Sequence, residues 1–161
     1  MKKAILPVAL VLAAGVSFAV VNATAKDKPK KGVQHGNTIH VIEHATSDAV
    51  TNGSPPPTDQ AGNILTFAND VFDSSDANKV GSDQGYCVRI VVGKSWECNW
   101  TTFLAGGQIT VEGPFSDTGN TVVAITGGTG KYRNARGWMD LKYHNPAGTE
   151  FDFVFHLHGE D

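Results

Sequence analysis

The sequence predicts an all-β protein, a small antiparallel eight-stranded β-barrel. Short apolar segments alternate with period two, and Gly, Asn, Asp and Pro residues separate them. From Thr38 onward no segment shows the 3.6-residue period of a helix that would cover an open sheet. Closing the sheet into a barrel removes its unpaired edges, which favours that architecture. A β-sandwich fits the same pattern and stays open as the alternative fold.

The alternation places each strand along the chain. A proline-rich loop over 47–62 follows the first strand, and a polar, turn-rich stretch over 74–85 follows the second. Gly93 and Lys94 put a turn between the third and fourth strands, which therefore form a hairpin. The predicted strands are 40–45, 63–72, 86–92, 96–104, 108–115, 121–126, 137–144 and 150–158.

Composition and charge limit the classes of function. The 161 residues are 40% hydrophobic and 18% charged, which fits one globular domain and argues against a disordered chain. The net charge is −3, so the chain lacks the basic surface of a nucleic-acid-binding protein. Two cysteines are too few for a small domain held together by disulfides.

The N-terminus has the three parts of a secretory signal peptide. Lys2 and Lys3 form a positive end, 4–21 is apolar, and Ala23-Thr24-Ala25 is a cleavage signal. An uncleaved anchor is the alternative, although the apolar run is short for a membrane span. Cleavage after Ala25 predicts a secreted protein with no membrane span after processing. The expected segments are a signal peptide over 1–25, a flexible leader over 26–37 and the barrel domain over 38–161.

A glycine-rich segment and three shorter segments resemble those of one family. Residues 125–137 are similar to the Gly-Gly-Thr-Gly-Lys and Ala-Arg-Gly segment of plant dirigent proteins. Segments 62–69, 85–88 and 111–115 occur in the order found in allene oxide cyclases. The chain is therefore identified as a bacterial-type exported member of the allene oxide cyclase and dirigent superfamily. This resemblance implies a calycin-type barrel with a hydrophobic cavity, often assembled as a homo-trimer.

The resemblance also implies chemistry without a cofactor. Plant allene oxide cyclases close a fatty-acid allene oxide by holding its reactive conformer, assisted by a Glu and an Asn. Glu43 matches that Glu and is the candidate catalytic acid or charge stabiliser of a cyclase or isomerase. Ala45 stands at the position of the Asn, which counts against a faithful allene oxide cyclase. The alternative is a non-catalytic, dirigent-like protein that binds and orients lipophilic or phenolic metabolites.

The alternation gives Glu43 a second reason for interest. It shares a strand face with Ile39 and Val41, where an unpaired carboxylate is costly if that face is inside. The other interpretation is structural, with Glu43 at the rim of the barrel in an ion pair with Arg89 or Lys142.

Other residues are candidates for binding a hydrophobic small molecule, the expected partner. Asn69 matches an Asn of the family, and it either donates a hydrogen bond into the cavity or satisfies the end of a strand. Aromatic residues either line a ligand cavity or fill the barrel. The candidate substrate-binding aromatic residues are Phe67, Trp100, Phe153 and Phe155.

The two cysteines are expected to form a disulfide. Cys87 matches a strand cysteine of the family, and Cys98 lies opposite it across the predicted hairpin. Export favours oxidation of the pair, which removes Cys87 as a reactive thiol.

Two motifs resemble sites that the predicted strands do not support. Residues 40–44 spell His-x-x-Glu-His, but a zinc site of this kind needs a helix, and on a strand Glu43 points away from both histidines. Residues 127–131 resemble a phosphate-binding loop but lack its Ser or Thr after Lys131. The sequence therefore predicts no metal site and no cofactor.

Overall fold

The computed structural model describes residues 37–51 and 58–158, and these form ten strands and one short 3-10 helix, Gly130–Tyr132. The predicted signal peptide over 1–25 lies outside the described residues, as does nearly all of the predicted leader over 26–37. The strands are β1 (Asn37–His44), β2 (Ala49–Thr51), β3 (Ile64–Phe67), β4 (Asp70–Asp73), β5 (Lys79–Val91), β6 (Ser95–Leu104), β7 (Gly107–Ser116), β8 (Thr121–Gly128), β9 (Gly137–Tyr143) and β10 (Glu150–Leu157).

The strands form one closed antiparallel barrel. The sheet order is β2-β3-β5-β4-β1-β10-β9-β8-β7-β6, and pairing of β5 with β6 closes it. Strands β3 and β4 both pair with β5 and act as one interrupted strand, while β2 continues β1 by pairing with β3. The described residues thus fill eight strand positions, so the predicted eight-stranded barrel is confirmed and the sandwich alternative is wrong.

Three predicted boundaries are wrong. The second strand, predicted over 63–72, breaks at Ala68 and Asn69 into β3 and β4. Most of the stretch 74–85 is strand, because β5 begins at Lys79. Its glycines do not mark a loop, since an added Cβ at Gly85 would overlap Trp100 of the neighbouring strand. The predicted loop over 47–62 contains the short β2, and 52–57 lie outside the described residues.

Strand alternation decides which side chains fill the barrel. On β10, Phe151, Phe153 and Phe155 are buried inside, and on β1 the inner face carries Val41 and Glu43. Each buried large apolar side chain stabilises the fold by about 1.5–3 kcal/mol relative to exposure. Inner faces of the other strands contribute Val71, Trp96, Trp100, Ile109, Val111, Val123, Ile125, Met139 and Leu141.

One end of the barrel, called the floor here, is closed by the connection 129–136 between β8 and β9. Tyr132 and Ala135 of this connection are buried in the core. The backbone N–H of Lys131 donates to the carbonyl of Gly106 at 2.9 Å. Gly130 has a φ of 59°, and an added Cβ there would overlap the same Gly106 carbonyl. The glycine-rich segment therefore closes the barrel and is not a phosphate-binding loop.

Replacing Gly130 with Ala should lower the free energy of unfolding by about 2 kcal/mol or more, because the Cβ collides with backbone and φ is left-handed. Gly127→Ala is the matched control, since an added Cβ there meets nothing within 4 Å. Its effect should stay within about 0.5 kcal/mol. Urea unfolding monitored by tryptophan fluorescence measures both, and equal losses would contradict this role of the floor.

The predicted disulfide is present. Cys87 and Cys98 occupy directly paired positions of β5 and β6 and are bonded to each other. The bond is consistent with an extracellular protein. Over the ranges 37–51 and 58–158, none of the helical structure has the length and apolar character that a membrane span needs.

Removal of the disulfide in a Cys87→Ala, Cys98→Ala double variant should lower the free energy of unfolding by about 2–3 kcal/mol, because the unfolded chain gains freedom. Urea midpoints of the oxidised protein, the reduced protein and the variant give the comparison. A reduced protein as stable as the oxidised one would count against this contribution.

Candidate active site

A cavity of about 60 Å³ opens at the end of the barrel opposite the floor. This end, called the mouth, carries the connections 92–94, 117–120 and 144–149. Most of the cavity wall is apolar, and its acidic members, Glu43 and Asp48, differ in exposure, since Glu43 is buried and Asp48 exposed. The lining residues are Glu43, Asp48, Leu65, Phe67, Cys87, Cys98, Trp100, Phe115, Leu141, Phe151 and Phe153.

Aromatic rings surround the cavity in two groups. The Trp100 ring centroid lies 6.4 Å from that of Phe67 and 5.7 Å from that of Phe153. Phe115 and Phe151 form an edge-to-face pair with centroids 5.7 Å apart. Because ring faces carry partial negative charge, these walls suit an apolar or positively charged group.

Glu43 shares the interior of the barrel with a second acid, Asp83. Glu43 is 6% exposed and Asp83 2%. Burial raises the pKa of Glu43 well above its ordinary value, and the neighbouring Asp83 carboxylate raises it further. Burial also raises the pKa of Asp83, to about 7, although the hydrogen bond with Glu43 opposes this change. Both carboxyl groups therefore keep their protons to a higher pH than exposed carboxyl groups do.

The break between β3 and β4 places Asn69 beside these acids. The backbones of Asn69 and Asp83 exchange two hydrogen bonds, of 3.1 Å and 2.8 Å, so their side chains lie together on the inner face. The Asn69 side-chain amide donates to Glu43 Oε1 at 2.8 Å and to Asp48 Oδ1 at 3.0 Å. Its oxygen accepts hydrogen bonds from Thr46 and Ser47. Asn69 thus fixes the Glu43 carboxyl and ties the segment after β1 to it.

The alternative in which Glu43 pairs with a cation at the rim is wrong. The Arg89 guanidinium lies 2.7 Å from Asp59 and 2.6 Å from Asp117. Lys142 lies near an aspartate of its own strand. Glu43 lies beside the Asn69 amide and the Asp83 carboxyl group instead, and its burial, not a cation, is the largest influence on its pKa.

Comparison with known proteins agrees with this architecture. The model of the family described as "Allene oxide cyclase barrel like domain" matches residues 39–155. The chain belongs to the allene oxide cyclase barrel-like family.

Solved structures of similar fold come from proteins of several activities. A pyocyanin demethylase superposes with a TM-score of 0.61 at 24% identity, covering 73% of this chain and 98% of that one. A pterocarpan synthase dirigent protein gives 0.60 at 21% identity, covering 78% and 87%. An exo-specific intermolecular Diels–Alderase gives 0.57 at 19% identity, covering 77% and 100%. At these identities the likeness shows the shared fold.

The structure brings most of the predicted site residues of this family member to one place. Phe67, Trp100 and Phe153 line the cavity together with Glu43. Asn69 does not line the cavity, but its side-chain amide donates to Glu43 and Asp48, which do, and a role for Asn69 in ligand binding stays a prediction. Phe155 does not line the cavity, because it is completely buried one inward position closer to the floor.

Asp83 and Asp48 are site residues that the sequence analysis did not identify. Asp83 was assigned to a turn, yet it alternates with Gly85, Cys87 and Arg89 on one face. Had β5 been recognised as one long strand, that alternation would have placed Asp83 inside with the cysteine. No sequence pattern places Asp48 at the site, because its side chain is held there by a hydrogen bond from Asn69.

The His-x-x-Glu-His segment divides between two faces of β1, as its strand character predicts. Glu43 points inward, while His40 and His44 face outward and contact Asp152 and Asp76, each at 2.7 Å. Donor atoms of His44, Asp76 and Glu150 lie within 4.8 Å of one another on the outer surface, the one such group in the described part of the chain. It lies apart from the cavity, and its His44–Asp76 contact is already a hydrogen bond.

The raised pKa values of Glu43 and Asp83 predict how stability changes with pH. Because the folded pKa values of Glu43 and Asp83 lie above their unfolded values near 4, the folded state binds more protons than the unfolded state between those limits. Their stabilising contribution is complete below the unfolded pKa and is lost as pH rises through the folded pKa. Each unit of pKa difference corresponds to about 1.4 kcal/mol.

Glu43→Gln should therefore flatten the decline in unfolding free energy between pH 5 and pH 8, because the second buried acid is gone. Glu112→Gln, an exposed carboxyl on β7, is the control and should keep the wild-type slope. Urea unfolding at several pH values provides the slopes. Parallel curves for wild type and Glu43→Gln would show that the pair does not bind its extra proton in the folded state.

Proposed function

We propose that this barrel binds an apolar, unsaturated small molecule at its mouth and catalyses a cofactor-free cyclisation or isomerisation. The carrying observation is Glu43, a buried acid in the wall of an aromatic cavity, whose pKa is raised by that burial and by the neighbouring Asp83. The Diels–Alderase among the structural neighbours supports ring-forming chemistry on this fold. Secretion belongs to the proposal because of the predicted signal peptide and the disulfide, and a homo-trimer because of the family resemblance.

In this proposal the walls supply positioning and Glu43 supplies the proton. The aromatic rings hold the substrate in the conformer that closes, which removes much of the entropic barrier. Glu43 donates its proton to a leaving or polarised oxygen of the substrate, and its carboxylate then stabilises the positive charge that develops. Ring closure releases that proton, which returns to Glu43. The reaction is an isomerisation, so atoms and charges balance without a redox partner.

Asn69 and Asp83 have supporting roles in this scheme. The Asn69 amide holds Glu43 Oε1 at 2.8 Å, which leaves the other oxygen for the proton. Burial raises the pKa of Glu43 and the Asp83 carboxyl group raises it further, which favours the protonated acid that the reaction needs. Asn69 is therefore a positioning residue, and Asp83 sets the acidity.

The second candidate function is a dirigent-like protein that binds and orients a lipophilic or phenolic metabolite without chemistry of its own. Ala45 favours it, because the family's catalytic Asn is replaced there by a side chain that packs against the core. The dirigent protein among the structural neighbours shares this fold. Glu43 would then contribute only a hydrogen bond to the ligand.

The test begins with the purified, oxidised protein incubated in a lipid and metabolite extract of the producing organism, followed by native mass spectrometry. We expect a retained apolar molecule and, after longer incubation, an isomer of equal mass and different chromatographic retention. Glu43→Gln should retain the starting molecule and lower its conversion by about 100-fold or more, the range for loss of a general acid. Glu112→Gln is the control and should convert normally.

The outcomes separate the two functions. Retention without conversion by wild type, and equal retention by Glu43→Gln, would replace the enzyme with the dirigent-like binder. Retention of nothing by wild type would remove both functions and leave a filled, structural barrel.

A further inference from the structure

A further cavity, larger than that of the mouth, lies at the floor of the barrel. Its volume is about 350 Å³, against about 60 Å³ at the mouth, and the described residues that line the two cavities differ throughout. Small-molecule sites typically have volumes of roughly 300–1,000 Å³. The floor cavity is therefore large enough for a ligand of its own. Its lining residues are Asn37, Lys131, Tyr132, Arg133, Asn134, Ala135, Leu157 and His158.

The charge of the floor cavity is opposite to that of the mouth. Among the described residues that line it, Lys131 and Arg133 are cations and none is an acid. The connection 129–136, which forms the floor, also contains Arg136 and no Asp or Glu. The chain as a whole has a net charge of −3, so its composition does not explain a basic cavity. A concave surface with this sign of charge attracts anions.

The Lys131 ammonium is available to a ligand. It lies 4.8 Å over the Tyr132 ring, and no carboxylate of the described residues forms an ion pair with it. Lys79, Arg89 and Lys142, in contrast, each form an ion pair with an aspartate. A cation that an aromatic ring holds at the edge of a cavity keeps its charge for an anionic group.

Side chains, and not the backbone, form this site. The backbone N–H groups of residues 131–133 donate to carbonyls of the neighbouring turns, so they cannot hold a phosphate as a phosphate-binding loop does. The exposed His158 imidazole adds a polar nitrogen beside Lys131, and half-buried Leu157 adds apolar surface. Arg133 has a further interaction within the chain, so the site depends chiefly on Lys131 and His158.

We propose that the floor cavity binds a small organic anion, a compound with a phosphate-like dianionic group on a compact apolar body. The anionic group lies beside Lys131 and His158, and the body lies against Leu157. A dianion is favoured over a monoanion because the cavity wall carries more than one cation. An organic body is favoured over bare phosphate because a single phosphate leaves most of the cavity unfilled. This site goes beyond the proposed function and does not depend on it.

Three probes of one shape and different charge test the proposal: phenylphosphonate, benzenesulfonate and neutral methyl phenyl sulfone. NMR titration gives each affinity, with the amide signals of Lys131 and Leu157 reporting on the floor and the Trp100 indole signal on the mouth. We expect phenylphosphonate to bind at the floor about fivefold or more tightly than the sulfone at low ionic strength, with benzenesulfonate between them. The preference should shrink in about 0.5 M NaCl, because salt screens exposed charges.

Variants assign the preference to the floor cavity. Lys131→Gln and His158→Gln should each lower phenylphosphonate affinity about threefold and leave that of the sulfone unchanged. Lys131→Arg should keep most of the affinity, because the charge remains. Lys94→Gln, which removes an exposed cation at the mouth, is the charge-matched control and should bind as wild type does. An unchanged preference in Lys131→Gln and His158→Gln would overturn the proposal.

Other results would also overturn it. Equal binding of the three probes, binding of none of them, or shifts confined to the Trp100 indole signal would each show that the floor does not recognise an organic anion. Sedimentation with phosphatidic acid vesicles tests whether the anionic group belongs to a lipid. We expect no sedimentation, because the cavity takes the apolar body together with the anionic group, whereas a lipid keeps its body in the bilayer. Sedimentation that Lys131→Gln abolishes would replace the free solute with a lipid headgroup.

The floor site and the proposed function at the mouth fail separately. Glu43→Gln should bind phenylphosphonate as wild type does, since Glu43 lines only the mouth cavity. If the metabolite extract yields no converted molecule, the preference for phenylphosphonate should still be found. If that preference is missing, conversion at the mouth is unaffected.

Discussion

The antiparallel pairing of Asn69 with Asp83 is the contact on which the site depends. It lies where the strand formed by β3 and β4 is interrupted, so the chain can turn an amide inward without losing its hydrogen bonds to β5. That amide orients Glu43 and holds the backbone of Thr46 and Ser47 at the mouth. Without the Asn69 amide, no neutral side chain would link Glu43 to the backbone of Thr46 and Ser47.

A buried acid pair is a cost that the rest of the barrel has to offset. The apolar core disfavours ionisation of both carboxyl groups, and apolar side chains at these positions would give a more stable fold. The inner faces of β6 to β10 contribute the apolar burial that compensates, with aromatic residues concentrated on β10. Such a local cost is typical of functional sites, where pKa values depart from their ordinary range.

Much of the fold could be predicted because alternation is a local property. The faces of β10 can be predicted from the spacing of its phenylalanines alone. The hairpin can be predicted from the turn at Gly93, and it places Cys87 opposite Cys98. The wrong predictions concern features that depend on residues distant in the sequence. Gly85 has the composition of a loop, yet Trp100 on the adjacent strand requires a residue without a side chain. Phe155 alternates correctly, but its depth in the barrel depends on the stagger of all the strands.

The acidic site was only half predictable for the same reason. Glu43 could be selected from its own strand, since a carboxylate among β-branched residues stands out in a period of two. The inward direction of Asp83 follows only when β5 is known to begin at Lys79. Its partnership with Glu43 crosses an interrupted strand, and a register between strands distant in sequence is not a property of any one segment.

The segment that resembles the family and the candidate site lie at opposite ends of the barrel. The glycine-rich segment that most resembles the family closes the floor, where the Gly106 carbonyl leaves no room for a side chain at Gly130. Those contacts constrain the fold whatever the ligand is. The cavity lies at the other end, where Glu43, Asp48 and the rings around them form its wall. A fold constrained at the floor leaves the residues of the mouth free to differ, and Ala45, which stands where the resemblance places the family's Asn, is one such difference in this chain.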